Sequence, residues 1–427
     1  MFKVLIVAYY FPPLGLSGVQ RTLKFSKYLR QYDWEPTVLT TDSIAYYAHD
    51  NSLLKEAEEA GIRIIRTSGN DLNSKLIKRG TIKIPSEWIR KFLGRMSASF
   101  FIPDNKKGWS SKAFITARKL LSEEQFDLIF VSAPPFSSFN IAVRLKKEFN
   151  LPLVFDYRDL WYGNHFGFYP TPFHSYLHKK MEYDALKAVD RIIVINRRMK
   201  EKIMNRYRFV TFDDIFIIPQ GFDPQDFDHI TPEKKSNKKM RLAYSGIFYE
   251  FITPKYFLKA FKKLSLERPD IAANIELHFI GFLRNENRKL IRKLELQNFV
   301  IEYGYLDHKE SILKIISSDV LWVMIGNRKN AEIISTGKSF EYFGTRKPII
   351  ACLPDGALKS AVEEFGASFI TPPDDIDAIK DTIKKVYELY SNNQLPFPNE
   401  EFIEKHRRDY LTEMLVKQFQ FLIKAEI

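Results

Sequence analysis

The sequence has only one cysteine, Cys352, in 427 residues. A single thiol forms neither an internal disulfide nor a multi-cysteine metal cluster, so disulfide scaffolds and cysteine-based zinc modules are excluded. Nothing in this composition suggests an oxidising compartment, and we expect the protein in the cytoplasm.

Long apolar runs are also missing. Pieces such as "DVLWVMIG" are the longest candidates, far below the roughly 18 residues of a membrane-spanning helix. The first residues, "MFKVLIVAYYFPP", lack a small-residue cleavage site and run directly into a turn, which predicts a first strand rather than a signal peptide. We therefore expect no integral membrane segment.

Several catalytic and metal-binding motifs are absent as well. The sequence contains neither G-x-G-x-x-G nor G-x-x-x-x-G-K-[ST], which argues against nicotinamide-dependent and P-loop enzymes. Two D-x-D triplets occur, but residues 226–228 fall in a predicted linker and residues 375–377 are interpreted as a helix cap. His308 has no second histidine at ligand spacing, so we interpret it as a surface or turn residue. A metal-dependent transfer site is therefore not predicted.

The charge of the chain is strongly positive. Lysine and arginine number 65 against 52 aspartate and glutamate, which gives a formal net charge of +13. An excess of this size favours anionic partners, which include nucleic acids, phospholipid surfaces and phosphorylated small molecules. Charge alone does not choose among them.

Apolar strand-like runs alternate with amphipathic helical stretches along the chain, a rhythm typical of parallel α/β sheets. The rhythm stops in a polar, lysine-rich stretch at residues 222–239, interpreted as a linker, and then restarts. Since 427 residues also exceed what one core usually encloses, the sequence predicts two α/β domains, residues 1–221 and 222–402, and a final helix at about 403–427. The apolar positions that predict this helix are Phe402, Tyr410, Met414 and Phe421.

The first distinctive loop lies in "YYFPPLGLSGVQRTLKFSKYL", residues 9–29. Ser17 and Gln20 have the form of a capping box, which predicts a helix from Gly18 onward. A helix N-terminus presents unpaired N–H groups, and Gly15 and Gly18 let a ligand approach the backbone, so the expected ligand is an anion. A tight turn without a ligand fits the loop equally well.

A second segment, "ISTGKSFEYFGTRKPIIAC", adds a cation and a carboxylate. Thr336 can cap a short helix that ends near Gly344, with Lys338 in its first turn and Glu341 on the same face. The lysine and the backbone amides suit phosphate, while the carboxylate suits the vicinal hydroxyls of a ribose. Together they predict a nucleoside diphosphate site. The alternative is an exposed i,i+3 ion pair, worth at most about 0.5 kcal/mol.

Seven segments occur in the order seen in family 4 GT-B glycosyltransferases, which the chain resembles over nearly its whole length. They read "YYFPPLGLSGVQRTLKFSKYL", "FIPDNKKGW", "VSAPPFSS", "FDYRDLW", "IPQGFD", "AYSGIFY" and "GKSFEYFGTRKPIIA". The resemblance implies two facing Rossmann-like domains with a cleft between them, and a C-terminal helix that crosses back to the first domain. It also implies an N-terminal acceptor domain, a C-terminal nucleotide-sugar donor domain, and transfer with retention of the anomeric configuration.

Individual residues match the family's donor site. Gly15 and Gly18 match the glycine loop beneath the donor diphosphate, and Glu341 matches the second of two glutamates, which holds the ribose. Lys338 matches a lysine found in the subgroup that uses polyprenyl-phosphate-linked acceptors. The full predicted donor site consists of Gly15, Ser17, Gly18, Gly246, Lys255, Glu332, Thr336, Gly337, Lys338 and Glu341.

The chain departs from the family at the first glutamate. The family spacing places the partner of Glu341 at Ile333, whereas Glu332 is one residue out of register. Either a bulge brings Glu332 into place, or its contact to the donor sugar is absent.

A second departure follows Gly246, where many members carry an arginine and a lysine for the diphosphate. This chain has Ile247 there. Lys338, together with Lys255, would then supply the positive charge.

A third departure concerns a strand end where many members have a histidine. Here the sequence reads "LPLVFDYRDLW", with Asp156, Arg158 and Asp159 as candidate catalytic residues. A carboxylate at the carboxyl end of a parallel strand points into the crevice where α/β sheets bind ligands. Either aspartate could orient or deprotonate an acceptor hydroxyl, and the arginine could fix the carboxylate or contact a phosphate. A structural Asp–Arg pair is the alternative.

The stretch "IPSEWIRKFLGRMSASFF" contains an apolar stripe, which is relevant to how a lipid-linked acceptor would be reached. The stripe recurs every four residues at Trp88, Phe92, Met96 and Phe100 and is flanked by Arg90, Lys91 and Arg95. This combination is typical of a helix that lies in an anionic membrane interface. An ordinary core helix shows the same stripe.

The sequence thus predicts a cytoplasmic glycosyltransferase of the hexosyltransferase type, peripheral to the inner face of the cell membrane. It would move a sugar from a nucleoside-diphosphate sugar to a lipid-linked or polysaccharide acceptor of the cell envelope, without a cofactor, a metal or nucleic acid. Two alternatives stay open. One is a GT-B epimerase or hydrolase of the same donors, and the other is a basic nucleic-acid-binding protein without catalysis, which leaves Lys338 and Glu341 unexplained.

Overall fold

The computed structural model describes residues 1–42, 44–68, 80–81, 87–165, 167–228 and 230–424. The chain forms two compact units. The N-terminal unit comprises residues 1–220 and the segment from Arg408 onward, and the C-terminal unit comprises residues 221–407. The boundary predicted from the sequence lay one residue later.

The helices and strands follow in chain order. Residues 1–220 form β1 (Phe2–Val7), α1 (Ser17–Leu29), β2 (Trp34–Thr41), β3 (Ala45–Tyr46), α2 (Asn51–Glu59), β4 (Arg63–Thr67), β5 (Gly80–Thr81), α3 (Glu87–Phe100), α4 (Lys107–Glu123), β6 (Leu128–Ala133), α5 (Ser137–Phe149), β7 (Leu153–Tyr157), α6 (Pro172–Leu186), β8 (Arg191–Val194), α7 (Arg197–Arg206) and β9 (Ile215–Ile217). Residues 221–407 form β10 (Met240–Ser245), α8 (Lys255–Glu267), α9 (Pro269–Ala272), β11 (Ile275–Ile280), α10 (Asn285–Lys293), β12 (Val300–Gly304), α11 (His308–Ile316), β13 (Val320–Met324), α12 (Gly337–Thr345), β14 (Ile349–Cys352), α13 (Ala357–Phe365), β15 (Ser368–Thr371), α14 (Ile376–Ser391) and α15 (Glu400–Lys405). The chain then returns to the N-terminal unit as α16 (Arg408–Lys424).

Each unit is built on one parallel sheet. The strand order is β4-β2-β1-β6-β7-β8-β9 in the N-terminal unit and β12-β11-β10-β13-β14-β15 in the C-terminal unit. The pairs within both sheets are parallel. The predicted α/β class with two parallel sheets is therefore confirmed.

The strands read as continuous apolar runs because helices cover both faces of a parallel sheet. All six residues of β6 ("LIFVSA") and all five of β13 ("VLWVM") are buried. In the C-terminal unit the indole of Trp322 on β13 stacks on Phe257 of α8, with the ring centroids 3.9 Å apart. The same indole lies 4.9 Å from the ring of Tyr244 on β10, and the hydroxyl of Tyr244 in turn contacts Lys338.

The C-terminal stretch is two helices rather than the single predicted helix. The chain breaks between α15, which stays in the C-terminal unit, and α16. The buried face of α16 is also shifted from the predicted one, since Tyr410 and Phe421 are exposed. The residues that enter the core instead are Leu411, Leu415, Val416 and Phe419. Phe419 packs against Trp34 of β2 and Phe130 of β6, at ring distances of 5.1 and 5.6 Å.

The predicted linker at residues 222–239 is instead packed on the C-terminal unit. Residues 224–226 form a 3-10 turn. Further along, the amide of Glu233 donates to the hydroxyl of Ser317 at 2.8 Å, and Lys235 contacts Asp319. Polar composition alone suggested a free linker, but these polar groups find partners within the unit.

Candidate active site

The helix α12 carries three of the predicted donor residues, Gly337, Lys338 and Glu341. Thr336 occupies the N-cap position, as predicted, but its hydroxyl pairs with the hydroxyl of Ser339 at 2.7 Å rather than capping a backbone amide. Gly337 is the first helical residue, and the helix ends at Thr345, one residue beyond the predicted Gly344. α12 therefore begins beside the carboxyl edge of the sheet, where open α/β sheets bind ligands.

Lys338 lies directly against Gly246, the residue that follows β10. A Cβ atom at Gly246 would be 3.2 Å from the ammonium nitrogen of Lys338 and would sit on a backbone with φ of 118°. Gly281, which follows β11, is also close, because a Cβ there would be 2.8 Å from the Gly246 oxygen. The amides of both glycines are already paired, that of Gly246 with the Ile280 carbonyl and that of Gly281 with the Gly304 carbonyl, each at 2.7 Å. The glycines therefore allow the lysine and the neighbouring strand end to approach closely, and they do not present free amides.

The surroundings of Lys338 disfavour its charged form. Its ammonium contacts the hydroxyl of Tyr244 and lies 3.9 Å from the centroid of that ring. Burial raises the pKa of the Tyr244 phenol well above its ordinary value, so this neighbour is uncharged at neutral pH. Burial lowers the pKa of Lys338 to about 7, and the charge of Glu341 only partly opposes that shift.

This lowered pKa of Lys338 makes the free energy of unfolding depend on pH. The lysine titrates near 7 in the folded protein and at about 10.4 in the unfolded chain, so the unfolded chain binds more protons between these values. The stability contributed by this group should therefore rise as the pH increases from 7 towards 10. We expect the Lys338→Met variant to lose that rise, measured by urea unfolding at several pH values. Lys255→Met, which alters an exposed lysine, should keep the wild-type profile; an unchanged profile in Lys338→Met would contradict the shifted pKa.

Glu341 forms part of a chain of three polar side chains that the sequence did not reveal. The nitrogen Nδ1 of His308 lies 3.9 Å from Oε1 of Glu341, and its Nε2 is 2.9 Å from Oδ2 of Asp226. His308 is buried at the start of α11, which corrects its interpretation as a surface or turn residue. Asp226 belongs to the packed 3-10 turn rather than to a linker. The imidazole between two carboxylates restricts where the Glu341 side chain can lie.

Glu332 lies in a 3-10 turn (Ala331–Ile333) that precedes α12. Ile333, which the family spacing would replace by glutamate, is buried, whereas Glu332 is partly exposed. The backbone of Glu332 packs on Gly356, where a Cβ would be 2.6 Å from the Glu332 Cα. The turn thus sends Ile333 into the core and leaves Glu332 as the acidic side chain on this segment.

The C-terminal unit also contains one further predicted donor residue, Lys255, and a pair of aromatic residues that the sequence analysis did not predict. Lys255 is exposed at the start of α8, with its ammonium 5.2 Å from the ring of Tyr256. Phe282 and Tyr305, which sequence reasoning missed, follow β11 and β12 and stack with their centroids 5.2 Å apart. The only sequence signal for them is that each aromatic directly follows a glycine at a strand end.

In the N-terminal unit the glycine loop differs from its prediction. α1 begins at Ser17, so Leu16 rather than Ser17 takes the N-cap position, with φ of 71°. The amide of Gly15 donates to the carbonyl of Ala48 at 2.9 Å and is not available to an anion in this arrangement. The carbonyl of Gly18 accepts a hydrogen bond from Arg158. A guanidinium group, more than the loop amides, therefore supplies positive charge here.

Asp156 is fully enclosed in an ion pair with a residue that the sequence analysis did not consider. Its carboxylate accepts hydrogen bonds from Arg21 at 2.8 and 3.0 Å and from the hydroxyl of Ser132 at 2.8 Å. Arg21 also donates to the carbonyls of Pro219 and Ile218. The structural Asp–Arg pair anticipated as the alternative is present, with Arg21 in the place expected for Arg158. Asp156, at 0% exposure, is in no position to touch a substrate.

Asp159 differs from Asp156 in its accessibility, whereas Arg158 does not. Arg158 is buried and donates to the carbonyl of Pro134 at 2.6 Å. Asp159 is partly buried, and burial raises the pKa of its carboxyl to about 6, against the opposing charge of Arg158. A carboxyl that titrates near neutral pH is suited to accept and release a proton. Among the three candidates, Asp159 is the one whose side chain stays partly exposed.

The predicted interface helix α3 is strongly exposed. Trp88 and Phe100 are 71% and 75% exposed, and Phe92 and Met96 are exposed as well. None of the described residues Glu87–Phe100 is buried, which rules out the alternative of a core helix. No helix in the described ranges combines the length and the hydrophobicity needed to cross a bilayer.

Comparisons with known proteins agree with this architecture. Residues 16–226 match the family model "Glycosyltransferase Family 4". None of the curated proteins matches the sequence. Among solved structures, sucrose-phosphate synthase from Thermosynechococcus elongatus is 13% identical, with full coverage of both chains and a TM-score of 0.65.

Two further similar structures contain bound ligands. Anabaena HepE in complex with UDP is 12% identical, with 98% of this chain and 100% of that chain covered and a TM-score of 0.62. Pneumococcal O-GlcNAc transferase GtfA in complex with UDP and GlcNAc is 13% identical, with 99% of both chains covered and a TM-score of 0.62.

This chain has the GT-B fold, as its two parallel-sheet units and the similar solved structures show. Its residues 16–226 carry the match to glycosyltransferase family 4.

Proposed function

We propose that this enzyme transfers a hexosyl group from a nucleoside-diphosphate sugar to a lipid-linked or polysaccharide acceptor of the cell envelope, with retention and without a metal or cofactor. In this proposal the C-terminal unit binds the donor and the N-terminal unit binds the acceptor. The observation that carries it is the ammonium of Lys338 against Gly246, with the Glu341 carboxylate one turn further along α12.

Each part of the donor has a counterpart in this arrangement. The N-terminal end of α12 and the Lys338 side chain in its first turn suit the diphosphate, since phosphate is bound at helix N-termini and by cations. The Glu341 carboxylate suits the two ribose hydroxyls, which are hydrogen-bond donors. Because negative charge grows on the diphosphate as it leaves, Lys338 would act most strongly in the transition state.

The acceptor chemistry is assigned to the strand end after β7. In the transfer, the bond between the anomeric carbon and the diphosphate oxygen breaks while a bond forms from that carbon to the acceptor oxygen. The acceptor hydroxyl must lose its proton, and Asp159, with its raised pKa, is the group proposed to orient the hydroxyl and take the proton. Arg158 would fix the position of the backbone next to Asp159, because its side chain donates hydrogen bonds to the carbonyls of Gly18 and Pro134.

The comparisons support the choice of donors and acceptors to test first. HepE and GtfA were solved with UDP, and GtfA also with GlcNAc, so uridine diphosphate sugars come first. The lipopolysaccharide outer core galactosyltransferase WaaB is 15% identical, with a TM-score of 0.56 and full coverage of both chains, so lipopolysaccharide-type glycans are the first acceptors to test.

The proposed function predicts stabilisation by the correct donor. A donor at about 100 times its dissociation constant should add roughly 2.7 kcal/mol to the free energy of unfolding, which is visible as a rise in melting temperature. We would measure melting with uridine, guanosine, adenosine and thymidine diphosphate sugars. The Lys338→Ala/Glu341→Ala double variant serves as the control and should show no shift.

The outcomes separate the alternatives. If none of these donors shifts the melt of the wild type, the donor site is misassigned. If a donor shifts the melt, product analysis decides between transfer and the rival activities, because a hydrolase releases free sugar and an epimerase releases an isomeric donor without an acceptor. Salt-sensitive RNA or DNA binding without any nucleotide-sugar binding would instead favour the nucleic-acid alternative.

A further inference from the structure

The N-terminal unit has an exposed apolar surface that is larger than the predicted stripe. It is formed by α3 and by the stretch that leads into α6, and we call it the α3–α6 surface. Its exposed apolar side chains are Trp88, Phe92, Leu93, Met96, Phe100, Phe101, Phe168, Phe173 and Tyr176. An ordinary protein surface shows large apolar side chains singly. A contiguous group of them, as on this surface, indicates a site of interaction.

Direct contacts join the two halves of this surface. The ring nitrogen Nε2 of His174 lies 3.2 Å from the carbonyl oxygen of Ser99, and its Nδ1 is 2.8 Å from the hydroxyl of Thr171. On the other side, the guanidinium of Arg95 lies 5.4 Å from the ring centroid of Phe168. The apolar residues of α3 and of the α6 start are therefore held on one continuous piece of the unit.

Basic side chains surround the apolar residues. Arg90, Lys91 and Arg95 project from α3, and Lys179 and Lys180 from α6. The acidic groups beside them are fewer: Glu87 pairs with Arg90 at 2.8 Å, and Asp184 pairs with Lys180 at 2.9 Å. The rim thus has excess positive charge around an aromatic centre.

This charge pattern distinguishes between the occupants that an apolar surface can have. A second copy of the chain would bring two basic rims together, and like charges across an interface are costly. An anionic bilayer offers the opposite charge at its surface and an apolar interior, and tryptophan and other aromatic rings favour the boundary between the two. A bilayer therefore matches both parts of the surface.

We propose that the α3–α6 surface docks the enzyme onto anionic lipid bilayers, with the start of α6 contributing as a second insertion element beside α3. This inference rests on the proposed function, because docking would bring a lipid-linked acceptor to the N-terminal unit. Asp159 lies at the end of β7, and the loop that follows it runs to Phe168 and α6. The proposed acceptor site and the second insertion element are therefore close in sequence.

Liposome sedimentation with paired variants tests the proposal. Trp88→Ser/Phe92→Ser removes two exposed rings from α3, and Phe173→Ser/Tyr176→Ser removes two from α6. We expect each pair to reduce binding to phosphatidylserine-containing vesicles by about tenfold or more, since one ring buried in the interface is worth more than about 1 kcal/mol. The control is Phe397→Ser, which alters a 92% exposed ring of the C-terminal unit and should bind like the wild type.

Further measurements identify the occupant. Vesicles of neutral lipid should sediment less of the wild-type protein, because they lack anionic head groups. The addition of about 1 M salt should also weaken sedimentation, because the screening length then falls to about 3 Å. Full binding by the α6 pair, or no binding by the wild type, would overturn the proposal. A dimer seen by analytical ultracentrifugation and lost in both pairs would assign the surface to a second copy. Donor-induced melting shifts, measured on the same proteins, test the donor site separately, so a wild type that binds donor but not vesicles refutes the docking alone.

Discussion

Replacing Glu341 by alanine should weaken donor binding by about 10- to 150-fold, which corresponds to roughly 1.5 to 3 kcal/mol. The reason is that the carboxylate would accept hydrogen bonds from both ribose hydroxyls, and its loss leaves those donors unpaired in the bound state. Titration calorimetry with the donor found in the melting panel measures this effect. The matched control is Glu388→Ala, since Glu388 also pairs with a lysine on a helix, Lys384, at 3.9 Å but lies on α14.

Ligand choice sharpens the test of this site. A free nucleoside monophosphate keeps the ribose, so it should respond to Glu341→Ala nearly as strongly as the full donor does. Lys338→Ala should act differently, because a cation that stabilises the leaving diphosphate lowers turnover more than it lowers binding. If both variants keep wild-type affinity and turnover, the donor does not bind on α12.

The second large effect concerns stability. Asp156→Ala would leave the Arg21 guanidinium buried without its carboxylate, and breaking a buried pair in this way costs about 3 to 5 kcal/mol. We expect the loss in urea unfolding of the wild type and the variant. Ser132→Ala removes only one neutral hydrogen bond to the same carboxylate and should cost about 1 kcal/mol.

Two other variants separate this structural role from a catalytic one. Removing both charges, as in Arg21→Met/Asp156→Leu, should recover part of the stability, because no unpaired charge then remains in the core. A catalytic Asp156 would give the opposite pattern, with Asp156→Asn losing turnover while unfolding stays near that of the wild type. A loss below about 1 kcal/mol in Asp156→Ala would also contradict the structural assignment.

The parts of the fold that sequence predicts are those set by local pattern. Strands covered by helices on both faces, such as β6 and β13, must be apolar throughout, and this pattern is visible without knowing their neighbours. Likewise, Lys338 and Glu341 had to share one face of a helix because they are three residues apart. Both the parallel sheets and the cation beside the carboxylate were therefore accessible from the sequence.

The parts that sequence missed depend on distant pairing. Arg21 and Asp156 are 135 residues apart, and His308 and Asp226 are 82 apart, so no spacing rule connects them. The exposure of α3 was equally inaccessible, because an amphipathic pattern is the same whether the apolar face meets a core or a bilayer. Only the surroundings of the helix decide between these two cases.

The return of α16 to the N-terminal unit affects the order in which the protein is completed during synthesis. Trp34 and Phe130 need the ring of Phe419 as a packing partner, and the ribosome makes that residue only after the whole of residues 221–407. The first sheet to emerge therefore waits with apolar surface exposed while the second unit is translated. Transiently exposed apolar surface is prone to aggregation, so the sheet of residues 1–220 is at risk until α16 has been made and has packed on it.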